Sequence, residues 1–134
     1  MLISRLFRDI VNFRKQLQQA ELSVLINFYV KNFRSIRDEV QLNLVADGRY
    51  KNHEEHLEPI IALDKFALKM AVLYGANAAG KSNVVRAIDF AKDMVLEPGA
   101  IKRLQNNQFA RRPGSSTEFQ FQFQTGKYLS LIHI

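Results

Sequence analysis

The stretch that decides the fold is Ala67-Leu68-Lys69-Met70-Ala71-Val72-Leu73-Tyr74 running into Gly75-Ala76-Asn77-Ala78-Ala79-Gly80-Lys81-Ser82. Its first half is nearly all apolar, which predicts a strand buried on both faces of a parallel or mixed sheet. The second half satisfies G-x-x-x-x-G-K-[ST] at every fixed position, the pattern of a loop that cradles phosphate. Beyond Lys81 the apolar residues Val84, Ile88, Ala91 and Val95 recur at helical spacing, which predicts a helix from about Gly80 to Leu96. Glu97-Pro98-Gly99 ends it. Strand, glycine loop and helix in that order are the setting the motif needs, and they predict an α/β fold.

The chemistry of such a P-loop NTPase motif follows from its residue types. Glycine at 75 and 80 lets the backbone turn sharply and approach phosphate closely. Successive N–H groups then point inward as an anion nest, and the positive end of the following helix adds to the field. Small side chains at Ala76, Ala78 and Ala79 keep the loop clear. Lys81 is expected between the β- and γ-phosphates, and the Ser82 hydroxyl on a Mg²⁺ ion that bridges them. Asn77 is placed to donate to the γ-phosphate or to an attacking water. ATP and Mg²⁺ are therefore the expected ligands. A complete hydrolytic site also needs an acidic residue at the end of a second buried strand. Val24–Val30 ends in Lys31, and no strongly apolar strand after Ser82 ends in Asp or Glu. The reading thus includes a loop that binds nucleotide without hydrolysing it from this chain alone.

Outward from the motif, Val24–Val30 reads as a strand, Lys31–Arg37 as a turn, and Glu39–Ala46 as a second, antiparallel strand with Val40, Leu42, Leu44 and Ala46 on one face. Asp47–Glu58 reads as a polar loop. His53, Glu54 and His56 within it match no standard metal spacing, so a solvated loop is expected. Pro59–Leu63 reads as a small connecting element. Ala100–Ser116 is polar and basic, with Lys102, Arg103, Arg111 and Arg112. It reads as a solvated loop, with a phosphate or nucleic-acid patch as the alternative. Thr117–Gln124 alternates Phe119, Phe121 and Phe123 with Gln120, Gln122 and Gln124, which predicts a strand with a phenylalanine core face. Thr125-Gly126 suits a tight turn, with a returning hairpin strand from Lys127.

At the N-terminus, Ile3, Leu6, Ile10, Phe13 and Leu17 predict an amphipathic helix over Ser4–Ala20, docked on a core or on another chain. Arg5, Arg8, Asp9, Arg14 and Lys15 interrupt any export signal, so a cytoplasmic protein is expected. The 134 residues suit about one small domain, and 47% hydrophobic content supplies a core. The absence of cysteine excludes thiol catalysis, disulfides and Cys-ligated metal. No apolar run is long enough to span a membrane. A formal charge of +6 allows an anionic partner without choosing one.

Two segments together resemble the start of the ABC-type AAA ATPase heads, which include the SMC, RecF and OLD-like proteins and related bacterial AAA family ATPases. They are Lys31-Asn32-Phe33-Arg34-Ser35-Ile36-Arg37 before the Val40–Leu44 strand, and Leu73–Asn83, in which Asn83 after Ser82 is typical of the branch. The resemblance spans about residues 23–128 and departs from the commonest form in having Ala79 where serine stands. It implies an N-terminal ATPase lobe with a mixed sheet, in which the nucleotide contacts Gly75 to Asn83. Arg34 and its neighbours in Asn32–Arg37 would lie beside the same nucleotide. It also implies a homodimer of heads sandwiching ATP, an effector or nuclease module, and a role in DNA maintenance or anti-phage defence.

On this reading residues 1–22 are an extension. Leu129–Ile134 resembles translated adapter read-through, so His133 carries no functional weight. The competing reading is a nucleotide-regulated module that binds DNA or RNA through the basic loop, without hydrolysis of its own. No membrane partner is expected.

Overall fold

A computed structural model of the chain describes residues 23–49, 53–97 and 116–133. The elements in chain order are β1 (Ser23–Lys31), β2 (Val40–Asn43), a single 3₁₀ turn (Glu54–His56), β3 (Leu57–Ile60), a second 3₁₀ turn (Ile61–Leu63), β4 (Lys65–Leu68), α1 (Lys81–Leu96), β5 (Glu118–Thr125) and β6 (Tyr128–His133). The expected Ser4–Ala20 helix and the basic residues Lys102, Arg103, Arg111 and Arg112 lie outside the described residues.

The strict alternation of β5 organises the main sheet. Phe119, Phe121 and Phe123 are all buried. Across the antiparallel β1–β5 ladder, Phe121 faces Phe28 and Phe119 faces Val30. The Phe28 and Phe121 rings lie 4.9 Å apart, a directly opposed pair of the kind that stabilises a sheet beyond simple burial. β2 flanks β1 on its other edge and β6 flanks β5, giving the order β2-β1-β5-β6, antiparallel throughout. The β5–β6 hairpin turns on Gly126 and Lys127, with Thr125 opposite Tyr128. Gly126 takes φ 56° at the first central position, where the two-residue II′ turn calls for glycine. Thus residues 129–133, read from sequence as a tail, run along β5 as part of the sheet.

Helix α1 covers this phenylalanine face. Its buried residues Ala87, Ala91 and Met94 join Phe28, Val30, Phe33, Ile36 and the three β5 phenylalanines in one core. The helix spans the segment expected from its periodicity, and small residues at 87 and 91 let its backbone come close to the sheet.

β1 serves a second core as well. Its ladder with β5 is regular except between Leu25 and Asn27, where β1 advances two residues against one on β5. Ile26 is the extra residue of a β-bulge. Leu25, opposite Phe123, packs on the helix side, whereas Val24 and Ile26 pack with Ile60, Ala67 and Val45. That second cluster belongs to the β3–β4 hairpin, which pairs Leu57 with Leu68 and Ile60 with Lys65. Past β2 the chain changes partners. Leu44 N–H donates to Ile26, Ala46 N–H donates to Phe66, and Leu68 N–H donates back to Leu44. Buried Gln124 completes the join: its amide donates to the Pro59 carbonyl at 3.1 Å and accepts from Ala62 N–H at 3.4 Å.

One expectation is corrected here. The apolar run Ala67–Tyr74 is not a strand buried on both faces. Its strand ends at Leu68, and Met70, Val72, Leu73 and Tyr74 are exposed, Tyr74 by 91%. A strand buried on both faces needs a sheet partner at its edge and a packed layer over each face. Among the described residues β1 is already flanked on both sides, and no strand pairs with 69–74. For the same reason the expected mixed sheet is not present among them: both sheets are antiparallel. Among the described residues, no helix is long and apolar enough to cross a membrane.

Truncating Phe119, 1% exposed at the centre of the aromatic core, should cost about 3–5 kcal/mol. Val85→Ala, on the exposed side of α1, should change stability by less than about 0.5 kcal/mol. Urea denaturation followed by circular dichroism measures both.

Candidate functional site

The glycine loop occupies residues 75–80 and feeds directly into α1, whose N-cap is Gly80. Three of its residues have positive φ: Gly75 at 152°, Ala78 at 64° and Gly80 at 88°. Gly80 shows why the motif fixes glycine there, since an L side chain at that φ is strained even though a Cβ would meet nothing within 4 Å. Ala78 adopts the left-handed region without that exemption, a local cost of the kind found at binding sites. Ala79 N–H closes the turn on the Ala76 carbonyl at 3.2 Å.

The ammonium of Lys81 folds back over the loop. It donates to the Gly75 carbonyl at 2.8 Å and to the Ala76 carbonyl at 2.7 Å. These bonds hold Nζ against the backbone at the start of the loop. α1 begins with no capping side chain and no acidic residue in its first turn. The first N–H groups of a helix have no intrahelical partner, and the helix end carries partial positive charge. Lys81 at the first helical position adds to that charge rather than offsetting it, so the site is poised for an anion. Ser82 and Asn77 are both exposed. A single hydroxyl beside an anion site suits Mg²⁺, which keeps most of its waters and binds largely through substrate phosphates.

The turn between β1 and β2 forms the facing wall. Phe33 and Ile36 exchange backbone hydrogen bonds of 2.9 and 2.8 Å, closing a tight turn over Arg34 and Ser35. Arg34 permits it by taking φ 51°, and Asn32 precedes it at φ 52°. The turn is fastened from three sides. Phe33 is buried, its ring 5.4 Å from Phe90 of α1 and 5.3 Å from Phe119 of β5. Asn32 donates its side-chain amide to the Ser116 carbonyl, and Thr117 donates its hydroxyl to the Asn32 carbonyl. Asn83, in the first turn of α1, donates its side-chain amide to the Ser35 hydroxyl.

Between turn and loop lies an open groove of about 610 Å³, lined by Ser35, Arg37, Asp38 and Glu39 on one side and by Tyr74, Ala79, Gly80 and Lys81 on the other. That size is within the range of small-molecule sites. Asp38 accepts from the Arg37 guanidinium at 3.1 and 2.9 Å, and this raises the already high pKa of Arg37. The groove therefore holds two cations, Lys81 and Arg37, with two carboxylates at its far wall.

The family resemblance implies Arg34 and its neighbours in Asn32–Arg37 beside the nucleotide. The Arg34 guanidinium lies over the Phe33 ring, 5.7 Å from the centroid, and it does not line the groove. The neighbouring Ser35 and Arg37 do. They belong to the same Asn32–Arg37 segment, but only the turn geometry shows which side chains point across. Asp38 and Glu39 were not anticipated and carry no motif that would have revealed them. Elsewhere, His53, Glu55 and His56 are exposed and gather at the 3₁₀ turn before β3, within the segment read from sequence as a polar loop.

Residues 70–129 match a family described as "AAA domain, putative AbiEii toxin, Type IV TA system". The matched stretch starts just before the glycine loop and includes the loop, α1 and β5. It supports a nucleotide-binding domain of the AAA ATPase type. No curated protein and no solved structure matches the chain.

Gly80→Ala should destabilise the fold by about 1–2 kcal/mol through its backbone dihedral alone, read by denaturant titration. A double-mutant cycle on Ser35→Ala and Asn83→Ala should show a coupling of about 0.5–1.5 kcal/mol. Strict additivity would mean that the hydrogen bond does not tie the turn to α1.

Proposed function

We propose that the chain binds Mg·ATP through Gly75–Ser82, as the N-terminal part of an ATP-hydrolysing, ABC-type AAA ATPase head. The observation that carries this reading is the Lys81 ammonium held over the Gly75 and Ala76 carbonyls at the uncapped start of α1. A cation, a positive helix end and a strained glycine loop converge on one point. Each is unfavourable near the others until an anion joins them. A triphosphate supplies that anion, and Lys81 exchanges its loop carbonyls for phosphate oxygens.

On this reading the loop N–H groups and Lys81 hold the β- and γ-phosphates. Ser82 holds Mg²⁺, which supplies neutralisation of charge on the transferring phosphoryl group. Arg37 adds a second positive group in the groove, and Asp38 and Glu39 offer acceptors to the hydroxyl-bearing part of a nucleotide. Asn83, bonded to Ser35, keeps the two walls at a fixed separation. Hydrolysis is phosphoryl transfer to water, completed by an acidic residue and a signature segment that we place outside the described residues, the latter on a second head. The sequence resemblance supports the dimer, and the toxin-system wording of the matched family supports a part in defence.

Lys81→Ala should weaken Mg·ATP binding by about 10- to 100-fold, the worth of charge-assisted hydrogen bonds, while far-UV circular dichroism stays unchanged. Unaltered nucleotide affinity in a folded variant would overturn the assignment. A salt-dependent affinity for DNA or RNA that survives the substitution would favour the nucleic-acid-binding module instead.

A further inference from the structure

The 3₁₀ turn before β3 carries a group of side chains that the nucleotide reading leaves unused. His53 is its N-cap, and Glu54–His56 form the turn itself. His53 takes left-handed dihedrals, φ 71° and ψ 50°, ahead of the turn that ends at His56. Their rings lie 6.0 Å apart, centroid to centroid. Glu55 sits between them: its Oε1 is 3.2 Å from His53 Nδ1 and 3.6 Å from His56 Nε2. One donor atom from each residue lies within 4.8 Å of the other two. Glu54 is not in this group and lines a different groove, with Asp47 and Asp64.

The backbone beneath these side chains is anchored at both ends. His56 N–H donates to the His53 carbonyl at 3.0 Å, and Lys69, just past β4, donates its N–H to the His56 carbonyl at 2.9 Å. The Lys69 ammonium donates to the Glu55 carbonyl at 3.3 Å and pairs with Glu58 at 3.4 Å. That lysine therefore supports the turn from behind and leaves the three donor atoms outward.

We propose that His53, Glu55 and His56 form a surface site for a divalent transition-metal ion of the Zn²⁺ class, with its remaining positions open to water or an external ligand. Metal–ligand bonds of 2.0–2.2 Å in a tetrahedral arrangement place donor atoms about 3.4 Å apart. The two measured separations to Glu55 fall on either side of that figure. The two imidazoles are exposed and close the remaining gap by side-chain rotation. Two imidazoles and one carboxylate select zinc, copper, nickel or iron over magnesium or calcium, which take oxygen donors. This site is independent of Gly75–Ser82 and does not rest on nucleotide binding.

The test uses the full chain without a histidine tag and without nucleotide. Zn²⁺ is titrated in competition with a chromogenic chelator, and Co²⁺ is titrated for its visible absorption. One equivalent of Zn²⁺ should bind, excess Mg²⁺ should not displace it, and Co²⁺ should develop ligand-field bands. His53→Ala/His56→Ala retains His133 and should weaken Zn²⁺ binding at least tenfold, since even outer partners of metal ligands are worth about 10–100-fold. Glu55→Gln should weaken it to a lesser degree, and Lys81→Ala should leave it unchanged. Absence of binding, equal affinity in the double histidine variant, or displacement by Mg²⁺ would overturn the proposal. Circular dichroism on each variant separates loss of the site from loss of the fold.

Discussion

The arrangement depends on where the Phe33 ring goes. It leaves the β1–β2 turn and enters the gap between Phe90 of α1 and Phe119 of β5. Those two residues come from elements far apart in sequence, and Phe90 and Phe119 also contact each other at 5.8 Å. Three rings therefore fix the helix against the sheet near the middle of its length. Aromatic pairs contribute about 0.5–1.5 kcal/mol beyond their buried area, but the directional consequence is larger. With Phe33 seated, the turn has one place to stand, and Ser35 and Arg37 come to face Lys81.

Backbone strain is distributed around that same point. Asn32 and Arg34 on the turn and Ala78 on the loop are non-glycine residues at positive φ. Such residues persist when surrounding structure over-determines them. Here the over-determination is identifiable: Asn32 is held by Ser116 and Thr117, Arg34 by the reciprocal Phe33–Ile36 bonds, and Ala78 by the Ala76–Ala79 turn. The rigidity of this region has its origin in a backbone that cannot relax without giving up these bonds.

Much of this was legible in the sequence, for physical reasons that differ by element. The phenylalanine face of β5 and the spacing of α1 announce themselves because burial on one side imposes a period. The Gly126 turn follows from the sign of φ that a tight hairpin requires. The glycine loop was readable because its positive-φ turns at Gly75 and Gly80 call for glycine and leave a fixed residue pattern. The run 69–74 misled because apolar content reports an affinity for burial and says nothing about which strand would supply the hydrogen bonds. The β3–β4 hairpin was hidden for the opposite reason. Pro59 argues against a strand, yet it sits in a two-stranded sheet, where a missing N–H is tolerated on an open edge. At the site, the motif located Lys81 but not Arg37 or Glu39, whose positions come from the turn geometry. His53, Glu55 and His56 were obscured because their approach depends on the left-handed dihedrals of His53 ahead of the 3₁₀ turn, which their spacing does not announce.

The irregularity at Ile26 has a consequence for how this chain can change. A strand normally commits each face to one neighbour along its whole length, and a one-residue slip exposes everything it had buried. By inserting one residue, β1 gives its helix-facing side to Phe28 and Val30 and turns Val24 and Ile26 toward the hairpin. Its two ends therefore answer to different packing partners. A deletion at 26 would make the ladder regular and leave Val24 and Leu25 on their present faces, but it would take the buried Ile26 side chain out of the hairpin cluster. Substitutions near residue 28 are constrained by the helix, and those near residue 24 by the hairpin. The two halves of one strand can thus drift in sequence separately, provided that the bulge keeps an apolar residue for the hairpin cluster.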